Sequence, residues 1–425
     1  MRRYWAGLAV VATMVAGGCG LGAEEPEAAA PSANASGEVK GKVSLQTWAL
    51  KPKFTDYMQG VIDAFEKKHP GVEVEWLDQP GDGYSEKVLS QAAGGTLPDV
   101  TNLPPDFALP LVKQGLLLDV SQTDQKLADE YVAGGIDAYR FAGFQGVYGY
   151  PWYLNTDVNY WNSELMTKYG LDPKKPPTTF DELVAQARIL KEKSGGKVYL
   201  MSRRPELGDL FKEGVKLMAD DGKSFTFNTP EAAALLDKYR DAFKEGLLPR
   251  DVLTDTYAGN AKLFNEGTVA WTTAGANHIT SLATDNPTLA PKVVPSTAMG
   301  TPPLYVQGLS VSKKTQNAPA AIALARWVTS PENQAAFAHL VSIFPSTKAS
   351  ANDPFFSKSD GTNASEAKVI AFASLAQAKM LQPVEVTDAM SKFIRQQFAL
   401  AISGEITSKE ALDAAVAKCD ELLQN

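Results

Sequence analysis

The chain has 425 residues, 44% hydrophobic and 21% charged, with a formal net charge of -8. That balance belongs to a folded globular protein and argues against a disordered or integral membrane chain. An acidic chain also argues against nucleic acid as a partner, because a phosphate backbone demands a basic face. Two cysteines are present, Cys19 and Cys419, too few for a disulfide framework, so stability has to come from burial.

At the start, Met1-Arg2-Arg3 precedes an apolar run from Trp5 to Ala16 and then Gly17-Gly18-Cys19. A basic flank, a short apolar segment and small residues before a cut describe a secretory leader over residues 1–18. The run is shorter than the ~20 apolar residues that a membrane span needs. The cysteine after these small residues resembles a bacterial lipobox, departing from it at Ala16, where leucine is commonest. The resemblance implies that Cys19 becomes a lipidated N-terminus, the chain's one membrane contact; a plain leader with an incidental cysteine is the alternative. Residues 19–39, rich in Pro, Ala, Ser and Glu, read as a flexible tether. The remainder of the chain exceeds one compact core, so two domains are expected.

Order begins at Val43–Trp48, which alternates like a strand. Phe54, Tyr57, Met58, Val61, Ile62 and Phe65 recur at spacings of three and four, the stripe of an amphipathic helix that Pro70-Gly71 stops. Val72, Val74 and Trp76 alternate again, a helix is expected near Tyr84 to Ala93, and a short strand lies at Asp99-Val100. This rhythm predicts an α/β domain on a mostly parallel sheet. The next stretch is helix-rich. Thr179 with Glu182 and Thr407 with Glu410 read as capping boxes, and Thr229-Pro230 and Ser330-Pro331 as caps before a first-turn proline. Further strands are expected at 267–273, 292–295 and 309–312. A helix over 387–402 ends at Gly404, and a final helix carries Cys419 as a small packed residue.

No catalytic or cofactor constellation emerges. His69, His278 and His339 are far apart and lack metal-ligand spacing, and no nucleophile elbow, dinucleotide fingerprint or Walker loop is present. Gly81-Asp82-Gly83-Tyr84 reads as a turn before a helix. A glycosidase carboxylate pair would meet only in space, and nothing singles one out.

Several segments, in one order, resemble the solute-binding proteins of bacterial ABC importers, in particular the extracellular carbohydrate-binding family that includes the maltose-binding proteins. They are FEKKHPGV at 65–72, AGGTLPDV at 93–100, GLLLD at 115–119, GVYGYPWY at 146–153, PTTFDEL at 177–183, FNEG at 264–267 and SPENQ at 330–334. The resemblance implies the two-lobed type II periplasmic-binding fold, each lobe a mostly parallel sheet flanked by helices, with ligand in the cleft and a hinge between. Carried onto this chain, lobe one takes 40–151 plus 295–329 and lobe two 152–294 plus 330–425. It also implies a monomeric, non-enzymatic receptor that needs no cofactor or metal, captures a mono- to trisaccharide and hands it to membrane permease subunits. A polyol or glycerol-phosphate-type solute is the alternative ligand, and an exported glycoside hydrolase the alternative class.

A sugar cleft needs polar planar groups for hydroxyls and aromatic rings for CH faces. The best cluster is Trp152, Tyr153 and Asn155, where the family places an interlobe ligand segment; hinge core for the rings and a turn role for Asn155 are the alternatives. Asp106 stands where the family has a sugar-binding aspartate, though Pro104-Pro105 before it equally makes it a helix-start residue. Trp48 closes the first strand at its carboxyl end, where open α/β sheets bind ligands. Tyr84, Lys53 and Asp99 are weaker candidates, Asp99 reading better as a loop pin. Gly275 and Asn277 lie where relatives carry Gly-Pro-Trp, and Leu103 and Ser391 stand where maltodextrin binders place aromatics. Losing those platforms argues against a long maltodextrin. Trp271 compensates from another direction or lies in the core. Tyr305, Gln307 and Gly308 lie near a second hinge crossing, and Phe344 in another contact loop. Arg203-Arg204 is the basic pair that an anionic ligand would use.

Overall fold

The structure, a computed structural model, describes residues 36–254 and 257–424. The leader, Cys19 and most of the expected tether lie outside the described residues. The opening strands form where alternation predicts them, as β1 (Gly41–Trp48), β2 (Val72–Gln79) and β3 (Val100–Leu103), with helices Thr55–Lys68 and Tyr84–Ala93 between them. The first helix buries Met58, Val61, Ile62 and Phe65, members of the predicted stripe. Parallel pairing of β1 with β2 and β3 results, since each connection carries a crossover helix.

The remaining strands are β4 (Tyr150–Asn155), β5 (Asp157–Asn162), β6 (Trp271–Gly275), β7 (Val293–Ser296), β8 (Tyr305–Val311) and β9 (Phe344–Pro345). They complete a six-stranded sheet in the order β2-β1-β3-β8-β4-β9 and build a three-stranded sheet in the order β6-β5-β7. All four residues of β3 are buried, as befits a central strand covered on both faces.

The structure corrects two expectations. The first sheet is mixed, since only the pairings of β1 are parallel while β8 runs antiparallel to β3 and β4, and β9 to β4; in the second, β5 runs antiparallel to both β6 and β7. The strands of this second sheet come from distant stretches of chain, with five α-helices between β5 and β6 and one between β6 and β7 among the described residues, and no single strand–helix–strand unit ties any of them to its neighbour in a fixed direction. Pro295 is tolerated in β7 because that strand is an edge. The lobe limits also shift. Residues 152–155 belong to β4, which pairs with β8 and β9 in the first sheet. Helix Pro331–Leu340 packs there too, its Phe337 stacked 5.4 Å from Trp152. A bulge between Pro151 and Tyr153 accommodates the proline that cannot donate to the ladder. The chain passes from one sheet to the other at Thr156.

Alternation on β5 divides the interior. Val158 and Tyr160 join the hydrophobic cluster that fills the six-stranded sheet and its helices. Trp161 turns the other way, into a cluster with Trp271 and helices Phe180–Ser194, Pro230–Lys244, Asp388–Ser403 and Ser408–Leu423. The caps form largely as read. Thr407 and Glu410 make the complete box, whereas Glu182 reaches back to Thr178 rather than to Thr179. Cys419 is buried, and burial pushes its thiol up to about 11. Among the described residues no helix is long and apolar enough to cross a membrane, and no group of histidine, cysteine or acidic side chains could hold a metal ion.

Candidate functional site

A cavity of about 740 Å3 opens between the two sheets, within the range typical of small-molecule sites. Its walls are set by strand periodicity. On the second sheet Asp157, Asn159, Trp271 and Thr273 share one face, because Asn159 pairs with Thr273 and Asp157 with Gly275. On the first sheet Tyr305 and Gln307, two residues apart on β8, face the same space. Pro104-Pro105 starts helix Pro105–Lys113 and places Asp106 in its first turn at the rim. Met299, Met380, Pro383 and Val384 add an apolar side.

The charges in this wall are largely engaged with one another. Asp209 accepts from Arg203 and from the backbone N–H of Glu206 at 2.9 Å, and Lys212 lies 3.6 Å from it. A Glu206–Asp209 capping box at helix Leu207–Lys212 holds the carboxylate in place. Burial alone would disfavour the Arg203 and Asp209 charges. Their attraction more than offsets it, so the guanidinium is raised and the carboxyl is held below its ordinary value. Asp157 differs: burial raises its carboxyl, only partly opposed by the hydroxyl of Tyr305, which donates to it at 3.1 Å. Burial raises Asp106 likewise, although its side chain opens onto the cavity. Trp271 donates from its indole to Asn159 at 3.0 Å and stacks on Trp161 with centroids 5.9 Å apart. Asn159 is buried and spent on Trp271 and on the carbonyl of Thr297, and Trp271 is buried in the hydrophobic cluster, so both back the wall. The arrangement can present the carboxylates of Asp106 and Asp157, the amide of Gln307 and the hydroxyl of Tyr305 to a polyhydroxylated molecule.

A family model described as bacterial extracellular solute-binding protein matches residues 51–335. The chain belongs to that family. The galactooligosaccharide-binding protein of Bacillus subtilis is 25% identical over 78% of this chain and 79% of its own length. The melibiose/raffinose/stachyose-binding protein of the same organism is 23% identical over 60% of this chain and 61% of its own. Brucella abortus relatives named only as binding proteins are 25% identical, and the chain spans 58% of their length. Among solved structures, a candidate oligosaccharide periplasmic-binding protein of Synechococcus sp. MITs9220 superposes with a TM-score of 0.80 at 26% identity, covering 90% of this chain and 99% of that one. The cyclic alpha-maltosyl-1,6-maltose binding protein of Arthrobacter globiformis gives 0.74 at 21%, over 91% and 100%. The fold is the α/β periplasmic-binding fold of the maltose-binding type, and the family is one of solute receptors, extracellular by its description, rather than of enzymes.

In this solute-binding protein the cavity brings together Asp106, Trp271, Tyr305 and Gln307 of the residues singled out from sequence, and Arg203 of the basic pair. Trp152 is fully buried and stacks on Phe337, and Tyr153 meets the same ring edge-on at 5.8 Å, behind the cavity wall. Phe344 is buried in a cluster with Phe356 and Phe372. Trp48 stacks on Tyr84 at 5.4 Å, and the Tyr84 hydroxyl donates to the carbonyl of Asn102, whose amide donates in turn to Gln307 and Gly308. Asn155 accepts from the backbone of Thr156 and sits against Gly275, where a Cβ would lie 3.3 Å from its Nδ2. Asn277 precedes helix His278–Asp285 without capping it through its side chain. The small residue at Gly308 admits Tyr139, since a Cβ there would lie 2.4 Å from that hydroxyl. Asp99 pins β1 through the backbone and hydroxyl of Ser44, as its sequence context suggested.

Asp157, Asn159, Asp209, Lys212 and Phe180 line the cavity without having been singled out. A signal for the first two was present: Asp157-Val158-Asn159-Tyr160 alternates polar and apolar as a strand with one solvated face does. Nothing local marks Asp209 or Lys212, whose position depends on where helix Leu207–Lys212 packs.

Proposed function

We propose that this protein is the receptor of an ABC importer that captures a small neutral carbohydrate, a mono- to trisaccharide, between its two sheets and delivers it unchanged to the permease. The observation that carries this reading is the cavity shared by Asp106, Tyr305 and Gln307 from one sheet's body and Asp157, Asn159 and Trp271 from the other. A solute that contacts both stabilises the closed arrangement by its differential contacts, which is the basis of hinge closure. The names of the Bacillus subtilis relatives, galactooligosaccharide-binding and melibiose/raffinose/stachyose-binding, support a sugar ligand. A phosphate-bearing solute is less suited, because Arg203 is already committed to Asp209. We assign Cys19 the role of lipid anchor at the outer face of the membrane, with the folded body acting as a monomer.

The test is a thermal-shift panel of melibiose, raffinose, galactobiose, maltose and glycerol phosphate. At least one sugar should raise the melting temperature, since ligand at 100 times its dissociation constant contributes ~2.7 kcal/mol. Silence across the panel, or a response to glycerol phosphate alone, would overturn the sugar reading. Chromatography of the recovered sugar should find it intact; a hydrolysis product would make the protein an enzyme.

A further inference from the structure

The crossing from β4 to β5 runs through Asn155, Thr156 and Asp157. Thr156 is fully buried, and its Oγ1 has no hydrogen-bond partner among the described residues. Asn155 is paired with Tyr305 in the six-stranded sheet, while Asp157 is paired with Gly275 in the three-stranded one. Against that backbone crossing, the Tyr305 hydroxyl donates to Asp157 Oδ2 at 3.1 Å. This side-chain bond joins the first residue of β8 to the first residue of β5, and so one sheet to the other. It is long for an O–H···O bond, whose usual length is ~2.7–2.8 Å. Tyr305 is 52% exposed and lines the cavity, so it is not held by burial in the core. Among the described residues neither Arg203 nor Lys212 forms an ion pair with Asp157, for Asp209 takes both. A carboxylate that faces a solute cavity is thus engaged by a hydroxyl of the protein itself.

We propose that the Tyr305 hydroxyl is a resident stand-in for a solute hydroxyl on Asp157. It braces the hinge in the unliganded protein and is displaced when a solute takes the carboxylate. The displacement rests on the receptor reading above; the brace does not. Tyr305 is then a positioning residue that weakens binding in exchange for a defined unliganded hinge, because any solute has to outcompete it.

Tyr305→Phe keeps the ring and removes the donor, and Asp157→Asn weakens the acceptor without emptying the position. In the full chain without solute, hydrogen exchange should quicken several-fold in peptides covering 155–157 and 304–307 in both variants, with distant helices unchanged. Unaltered exchange there would overturn the brace. With melibiose, raffinose and maltotriose as calorimetric probes, Tyr305→Phe should bind several-fold more tightly than the wild type. Equal or weaker binding would overturn the stand-in, the latter because the hydroxyl would then contact the solute directly. If no probe binds either protein, the receptor reading fails for these sugars, and the exchange comparison alone decides whether the brace stands.

Discussion

Trp152 illustrates how a residue's neighbours in sequence and in space lead to different roles. Its aromatic-amide context, Trp152-Tyr153-Leu154-Asn155, is what a sugar site would use, yet the ring is fully buried and stacked on Phe337. Trp152→Ala should therefore cost about 3–5 kcal/mol of folding stability, as deletion of a large core aromatic does. Chemical denaturation reads the loss, and a variant of undiminished stability would show that the ring is not part of the core. Gly308→Ala tests the close approach of Tyr139, whose hydroxyl donates to the carbonyl of Leu103 at 2.5 Å. With Gly149 hemming the same ring at a Cβ distance of 2.7 Å, the ring has no room to retreat. Overpacking of this kind should cost about 1–3 kcal/mol, measured by the same denaturation curves.

At the level of elements, the short helix Leu207–Lys212 is held by burial of Leu207 and Leu210 and by the ion pairs of Asp209. Arg203→Ala would leave Asp209 in the cavity wall with Lys212 and the backbone N–H of Glu206 as its partners. Breaking a fully buried pair costs about 3–5 kcal/mol, and the 24% and 14% side-chain exposures of Arg203 and Asp209 reduce that here to about 2–3. Arg188→Ala, which removes a pair at 54% and 41% exposure, should cost less than about 1 kcal/mol. Thermal melts of the two variants side by side check the ranking. The sign with pH is set by the carboxyl: Asp209 is held below its ordinary value. Its contribution is present above the unfolded value of ~3.9 and is lost as pH falls through the lower folded value. Capping at this element was not legible in sequence, since Glu206-Leu207-Gly208-Asp209 is not the Ser/Thr-led pattern from which a box is normally read. The Thr407–Glu410 box was legible because its whole geometry lies within one turn.

For the molecule as a whole, Asp106 and Asp157 face the same cavity and are both raised by burial. A raised carboxyl favours the folded state most below its unfolded value, a contribution lost as pH rises through the folded value, opposite in sign to that of Asp209. For solute capture the consequence is earlier protonation on acidification. Sugar affinity should decline as pH falls from 7 toward ~4, beginning above the ordinary aspartate range. Calorimetry with raffinose or melibiose across that range reads the decline, and Asp106→Asn with Asp157→Asn should flatten it. An affinity independent of pH would mean that neither carboxylate touches the sugar.

Local pattern by itself determined the opening β1–helix–β2–helix–β3 unit, the caps that close within a turn, and, through ordered motifs, the family. Each of these is set by contacts a few residues apart, or by a period that the chain itself displays. The tertiary structure decided which face of β5 meets the cavity, that β5 runs antiparallel to its neighbours, that Trp152 and Phe344 belong to the interior, and that Arg203 is tied to Asp209. Most of those outcomes depend on strands and helices separated by tens to hundreds of residues, whose pairing is chosen by the burial of whole faces; Arg203 and Asp209 are only six apart, but their pair forms where helix Leu207–Lys212 packs into the cavity wall. Only once two sheets lie against one cavity does a tyrosine on one come within reach of an aspartate on the other.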